Sequence, residues 1–332
     1  MNDVLGVLPW WVVVVVKSAI VLAVVITTFA YSMLFERKVM AWMQLRPGPN
    51  RTGPWGMLQP AADAVKMMFK EDLTPLTADR FVYRLAPFLS LLAAMGAFAI
   101  IPFSEDGQGL WSVGDVNAGI LFIFACTSIG IYGISLAGWA SGSKFPLLGS
   151  VRATAQMISY ELAMTMSVVG VLVLAGTTSL AGIVHAQHKV WYVVPQFLGF
   201  VIYIITAVAE TNRAPFDLVE AETELVGGFH TEYSGLRFGL FFIAEYLNMI
   251  TVACIATLLF FGGWGPLFGL VAVPGLVWFL LKAAGFLFLY IWLRTTLPRF
   301  RYDRLMAFGW KVLLPLATLN LVATAAYIAL AP

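Results

Sequence analysis

Apolar residues do not alternate along this chain; they arrive in blocks. Runs near the 20 residues that a helix needs to cross about 30 Å of hydrocarbon fall at roughly 10–35, 83–103, 117–140, 155–178, 193–209, 238–262, 272–293 and 310–330. Only helices satisfy their own backbone in lipid at this hydropathy. The pattern therefore predicts an all-α membrane protein, a polytopic bundle of about eight transmembrane helices forming a single transmembrane domain over 1–332. Between the runs lie four charged segments, 36–82, 141–154, 210–237 and 294–309. The first has a helical rhythm of its own. From Met57 to Lys70, Leu58, Ala61, Ala62, Val65, Met68 and Phe69 share one face while Asp63, Lys66 and Lys70 point elsewhere. That is an amphipathic helix suited to a membrane surface, and a helix packed on a partner protein reads the same way.

Composition agrees with the pattern. Of 332 residues, 60% are hydrophobic and 11% charged, where soluble domains carry about 25% charged residues. The formal net charge of +2 says little, but its placement says much. The four charged segments and their flanks hold 17 of the 20 Lys and Arg residues, while the opposite loops hold Lys189 alone. The positive-inside rule makes those segments cytoplasmic and puts both termini outside. Trp10, Trp11, Trp111, Trp191, Tyr192 and Trp264 suit the outer interface belt. The first apolar run is too long for a signal peptide, and its basic cluster follows where a signal would place it before. Cys126 and Cys254 stand far apart in apolar runs without C-x-x-C spacing, which suits buried hydrophobes and cannot supply an iron–sulfur cluster. Neither a dinucleotide-binding nor a P-loop fingerprint is present, and no nucleic-acid partner is expected.

Chemistry concentrates in the charged segments. Arg46-Pro47-Gly48-Pro49-Asn50 is a rigid turn carrying a cation, and Asp63 and Lys66 follow one helical turn apart; as a bare i,i+3 pair these two contribute little. Glu161 is placed about two turns inside the fourth run, where a carboxylate marks either function or a paired ion. Asp217, Glu220 and Glu224 share one helical face, with Glu222 turned away. Including Glu210, Glu232 and Glu245, seven carboxylates fall within 36 residues, against Arg213 and Arg237. Carboxylates crowded beside lipid titrate as a coupled set; a solvated acidic loop would not, but the interleaved Pro215, Phe216, Leu218 and Val219 argue for a folded segment. Arg294, Arg299, Arg301 and Asp303 form either a positive-inside anchor or a docking patch. Lys17 and Lys282 lie within apolar runs. Lys17 can snorkel, and Lys282 calls for a partner such as Glu161 or Glu245.

Four motifs occur in order: GPN with GMLQPAADAVK, GWASGSK with SYE, RAPFDLVEAETELVGGFHTEYSG, and PRFRYD with WK. Together they resemble the H-type subunit of the proton-pumping NADH:quinone oxidoreductase, respiratory complex I, over nearly the whole chain. Val219, Gly142 and Arg304 depart from residues common in that family. The resemblance implies a bacterial inner-membrane subunit with quinone as substrate and no cofactor of its own. FMN and iron–sulfur clusters would belong to partner subunits. Expected partners are the peripheral quinone-site subunits, the antiporter-like membrane subunits and the lipid bilayer. It further implies a quinone path along Arg37, Arg46, Asp63, Lys66 and Phe216, and proton coupling through Glu161, Glu210, Asp217, Glu220, Glu222, Glu224, Glu245 and Lys282. Docking falls to Arg294, Arg299, Arg301 and Asp303. The homologous membrane subunit of a hydrogenase or ferredoxin-linked complex shares this membrane part. A secondary transporter fits less well, since no internal repeat is evident.

Overall fold

The computed structural model describes residues 10–106, 109–110, 112, 114, 116–217, 227–266 and 273–330. Among them the chain is a helical bundle with one small hairpin, in which β1 (Glu105–Asp106) pairs antiparallel with β2 (Gly109–Leu110). The helices are α1 (Trp10–Met43), α2 (Gln59–Phe69), α3 (Arg80–Ala99), α4 (Gly119–Ala140), α5 (Lys144–Ala175), α6 (Leu180–Ala186), α7 (Phe197–Glu210), α8 (Gly235–Phe260), α9 (Gly275–Thr296) and α10 (Tyr302–Leu330). Seven of these are long and apolar enough to cross a membrane: α1, α3, α4, α5, α8, α9 and α10. The polytopic all-α class expected from the pattern is what forms.

The run at 193–209 condenses to the 14 residues of α7, about 21 Å of helix and short of a full crossing. Turns occupy the chain ahead of it, around Pro195, where the Val193 N–H donates to the Phe260 carbonyl at 3.0 Å. Such irregular backbone is tolerated at membrane depth when protein surrounds it. Here α7 is largely buried, with Tyr203 sealed inside and donating its hydroxyl to the Val252 carbonyl at 2.9 Å.

Several helices run beyond their apolar runs. α1 continues to Met43, α5 starts at Lys144, α9 holds Arg294 in its last turn, and α10 starts at Tyr302. The segments expected as loops at 36–82, 141–154 and 294–309 are therefore partly helix. A hydrogen-bond ladder has no reason to stop where hydrocarbon ends; it stops where turn residues or an extended backbone intervene. Glu161 consequently lies 17 residues after the start of α5, about 25 Å along it, of which the first part is the polar extension ahead of the apolar run.

The centre of the bundle is α8. From Met249 to Phe260 every residue is buried, as expected of a helix apolar all round. Small residues set the spacing between α3 and α4: a Cβ on Gly133 would come within 2.9 Å of the Ser90 amide nitrogen and 3.0 Å of the Ala86 carbonyl. This is the close backbone approach typical of membrane helix pairs. Cys126 and Cys254 are both free and buried.

Candidate functional site

The described parts of all four charged segments meet at one end of the bundle. Glu36, on the polar extension of α1, is almost fully buried. Its Oε1 accepts from Arg213 Nη1 at 2.9 Å and also pairs closely with Arg294 from α9. The Arg213 Nε lies 2.5 Å from Glu245 Oε1 on α8, a charge contact whose N–H does not point at the oxygen, since that nitrogen has no aligned hydrogen bond. The guanidinium also sits over the Tyr246 ring, 4.4 Å from its centroid. Burial by itself lowers the Arg213 pKa, but Glu245 and Glu36 more than reverse this and hold the group above the ordinary arginine range. Two carboxylates and two guanidinia thus balance, a requirement for burying charges at all.

The loop after α7 is pinned from two more sides. Gln156 of α5 donates its side-chain amide to the carbonyls of Ala209 and Phe216, at 2.8 and 2.9 Å. Phe216 packs between Tyr160 and Phe300, stacking on the latter at 5.6 Å, while the Phe300 N–H donates to the Pro215 carbonyl. Asp217 pairs with Arg299 at 3.0 Å. On the far side, Arg237 pairs with Asp72 at 2.9 Å and donates to Thr74, and Ser234 donates to the Glu71 carbonyl.

Behind this network lies a cavity of about 40 Å³ lined by Ser90, Glu210, Asn212, His230, Glu245 and Asn248, with Phe229, Phe238 and Phe242 closing its walls. It is large enough for a few waters, and its polar lining suits them. Glu210 is buried, and its Oε2 has no hydrogen-bond partner. Glu161, partly buried on α5, accepts a close hydrogen bond from Ser128 of α4 and is near enough to Glu210 to repel it. Neither has a cation within ion-pair distance among the described residues. Burial pushes the His230 imidazole down to about 4.

The remaining expected site residues divide as follows. Arg37 pairs with Asp63 at 2.7 Å, tying α1 to α2, and Gln59 donates to the same carboxylate at 2.9 Å. Asp63 therefore pairs across to α1 and not with Lys66, which stays exposed on α2. Arg46 donates to the Gln44 side chain at 2.7 Å. α2 buries none of its residues in this chain, leaving Val65, Met68 and Phe69 exposed. Of the basic patch, Arg294 and Arg299 are engaged internally with Glu36 and Asp217, while Arg301 and Asp303 form an exposed pair at 3.1 Å. Glu220, Glu222 and Glu224 lie outside the described residues, as do Trp111 and the side chain of Lys17.

Lys282 corrects the expectation of a carboxylate partner. Its ammonium donates to the carbonyls of Phe261, Gly263 and Gly265 at 2.8, 2.8 and 2.7 Å and lies over the Trp191 ring. These carbonyls belong to the turn that follows α8, at the end of the bundle remote from Glu36. An ammonium has three N–H donors, and these three carbonyls satisfy them without a carboxylate. Glu36 and Gln156 carry no role in the sequence pattern, and Arg213 enters it only as a cation set against the carboxylates. The available signal was a lone acid in Glu36-Arg37-Lys38, one residue of which must face inward once α1 continues as helix.

Against known proteins, the sequence profile of the family described as NADH dehydrogenase matches residues 16–325. A protein named as an H-type subunit of NADH-quinone oxidoreductase, from Symbiobacterium thermophilum, is 52% identical over 96% of this chain and 98% of its own length. The corresponding NADH-quinone oxidoreductase protein of Syntrophotalea carbinolica is 50% identical over 99% of both chains. The Brevibacillus brevis protein of the same name is 48% identical over 98% of this chain and 97% of its own.

Proposed function

The chain belongs to the NADH dehydrogenase family, and we propose from that premise that it is the H-type membrane subunit of a proton-translocating NADH:quinone oxidoreductase. In this reading it sits in a bacterial inner membrane with its charged end cytoplasmic and both termini outside. Peripheral subunits carrying FMN and iron–sulfur clusters dock on that end, using Arg301 and Asp303 together with the charged segments. The quinone path runs along Arg37, Arg46, Asp63 and Lys66 beside the uncovered apolar face of α2, towards Phe216. Antiporter-like membrane subunits continue the proton route.

The observation that carries the reading is the division among the buried carboxylates. Glu36 and Glu245 face arginines and act as fixed charges that hold the loop after α7. Glu210 and Glu161 have no cation among the described residues, so a proton is what neutralises each of them in a low-dielectric site. A change of charge in the quinone-facing segment, including Asp217, Glu220, Glu222 and Glu224, passes through Arg213 to Glu210 and on to Glu161. Arg213 is suited to relay it because it touches Glu36, Glu245 and the Tyr246 ring at once. Lys282 stands at the opposite end, holding the turn after α8 against α9.

In the assembled complex reconstituted in vesicles, Glu210→Gln and Glu161→Gln are expected to lower protons pumped per quinone reduced, with assembly intact. The same loss is expected for the pair Glu220→Gln and Glu224→Gln. Undiminished pumping in all of these would sink the coupling route. The input module that co-purifies separates an NADH-fed complex from a hydrogenase or ferredoxin-linked one.

A further inference from the structure

α3 has two unlike faces. Tyr83, Ala86, Ser90, Ala93, Ala94 and Ala97 are buried in the bundle. On the other side Arg80, Phe81, Arg84, Leu85 and Phe88 line an open groove of about 430 Å³, and exposed Leu92 continues its apolar stripe along the helix. Arg80 and Arg84 are one turn apart, about 6 Å along the axis, at the end of a membrane-crossing helix.

Neither arginine has an acidic or hydrogen-bonding partner among the described residues, and the nearby acids are engaged elsewhere. Asp79 caps its own helix, accepting from the Phe81 and Val82 amides at 3.0 and 3.2 Å. Asp72 is held by Arg237. Two free guanidinia at the membrane surface, above a run of aromatic and aliphatic side chains pointing into hydrocarbon, complement one kind of molecule. It has an anionic head and an apolar tail. Arginine matches phosphate with paired N–H donors, and basic pockets at the ends of membrane helices recognise anionic lipid headgroups.

We propose that this face of α3 is a binding site for an anionic phospholipid, with the phosphate between Arg80 and Arg84 and an acyl chain along Leu85, Phe88 and Leu92. The site needs only the membrane bundle and is independent of the proposed proton route.

The test uses the purified complex, stripped of loosely held lipid and equilibrated in detergent with dioleoylphosphatidylglycerol or dioleoylphosphatidylcholine. Saturable binding of the glycerol lipid in excess of the choline lipid is expected. The double variant Arg80→Gln/Arg84→Gln should weaken it about thirtyfold, from two cations near a membrane surface. Arg80→Lys/Arg84→Lys, which keeps both charges but loses the paired donors, should bind between wild type and the glutamine variant, and Arg304→Gln, an exposed arginine elsewhere, should leave binding unchanged. Equal binding of the two lipids, or no difference between wild type and the double variant, overturns the proposal. Should the double variant fail to assemble, a photoreactive p-benzoylphenylalanine at Phe81 in otherwise unaltered protein decides the matter in native membranes. A phosphatidylglycerol adduct supports the site. An adduct to a neighbouring chain shows that this face is a protein interface and ends the proposal.

Discussion

At the scale of single residues, neighbours along the chain serve opposite ends. Glu36 is buried against Arg213 and Arg294, while Arg37 reaches outward to Asp63. His230 is a case where burial alone sets the chemistry. Its imidazole is held down to about 4 from the ordinary 6.5, so the fold contains the neutral ring. An unfolded chain takes up the proton first as pH falls, and linkage then favours unfolding. The stability that depends on His230 is complete above pH 6.5 and is lost progressively towards about 4. His230→Asn should flatten the acid side of a pH series of thermal unfolding curves in detergent. A variant with the same slope as wild type would assign the acid loss to other groups.

At the scale of elements, packing depends on what is small as much as on what is apolar. α3 and α4 approach so closely that a side chain on Gly133 meets both Ser90 and the α3 backbone. Gly133→Val should destabilise the bundle by about 1–3 kcal/mol, as overpacking does, read as a lowered midpoint of thermal unfolding. An unchanged midpoint would mean the helices can separate freely. The helix ends show where a pattern misleads. Hydropathy locates the membrane-facing part of a helix and is blind to its extension into water, so the true ends of α1, α5 and α9 were not legible. The extension of α1 is what places Glu36 inside the protein.

At the scale of the whole molecule, the charged segments form one structure. Glu36, Arg213, Glu245 and Arg294 come from α1, the loop after α7, α8 and α9, and their charges cancel. Removing one charge leaves buried cations uncompensated. Glu36→Gln should therefore destabilise the protein by about 3–5 kcal/mol, measured by denaturant or thermal unfolding of the purified complex. A loss within experimental scatter would show that water reaches Arg213 and screens it.

The sequence by itself determined the membrane class, the apolar runs and the presence of charged segments between them. Each follows from local properties: hydropathy over about 20 residues and charge density in the segments between. The motif order also pointed to the family that the comparisons then established. Tertiary structure decided which charges meet. Glu36 and Arg213 are 177 positions apart and Glu36 and Arg294 are 258 apart, and no local pattern encodes a pairing over such separations. It also decided that Lys282 caps carbonyls and that Asp63 pairs with Arg37, because a side chain's partner is fixed by how helices pack.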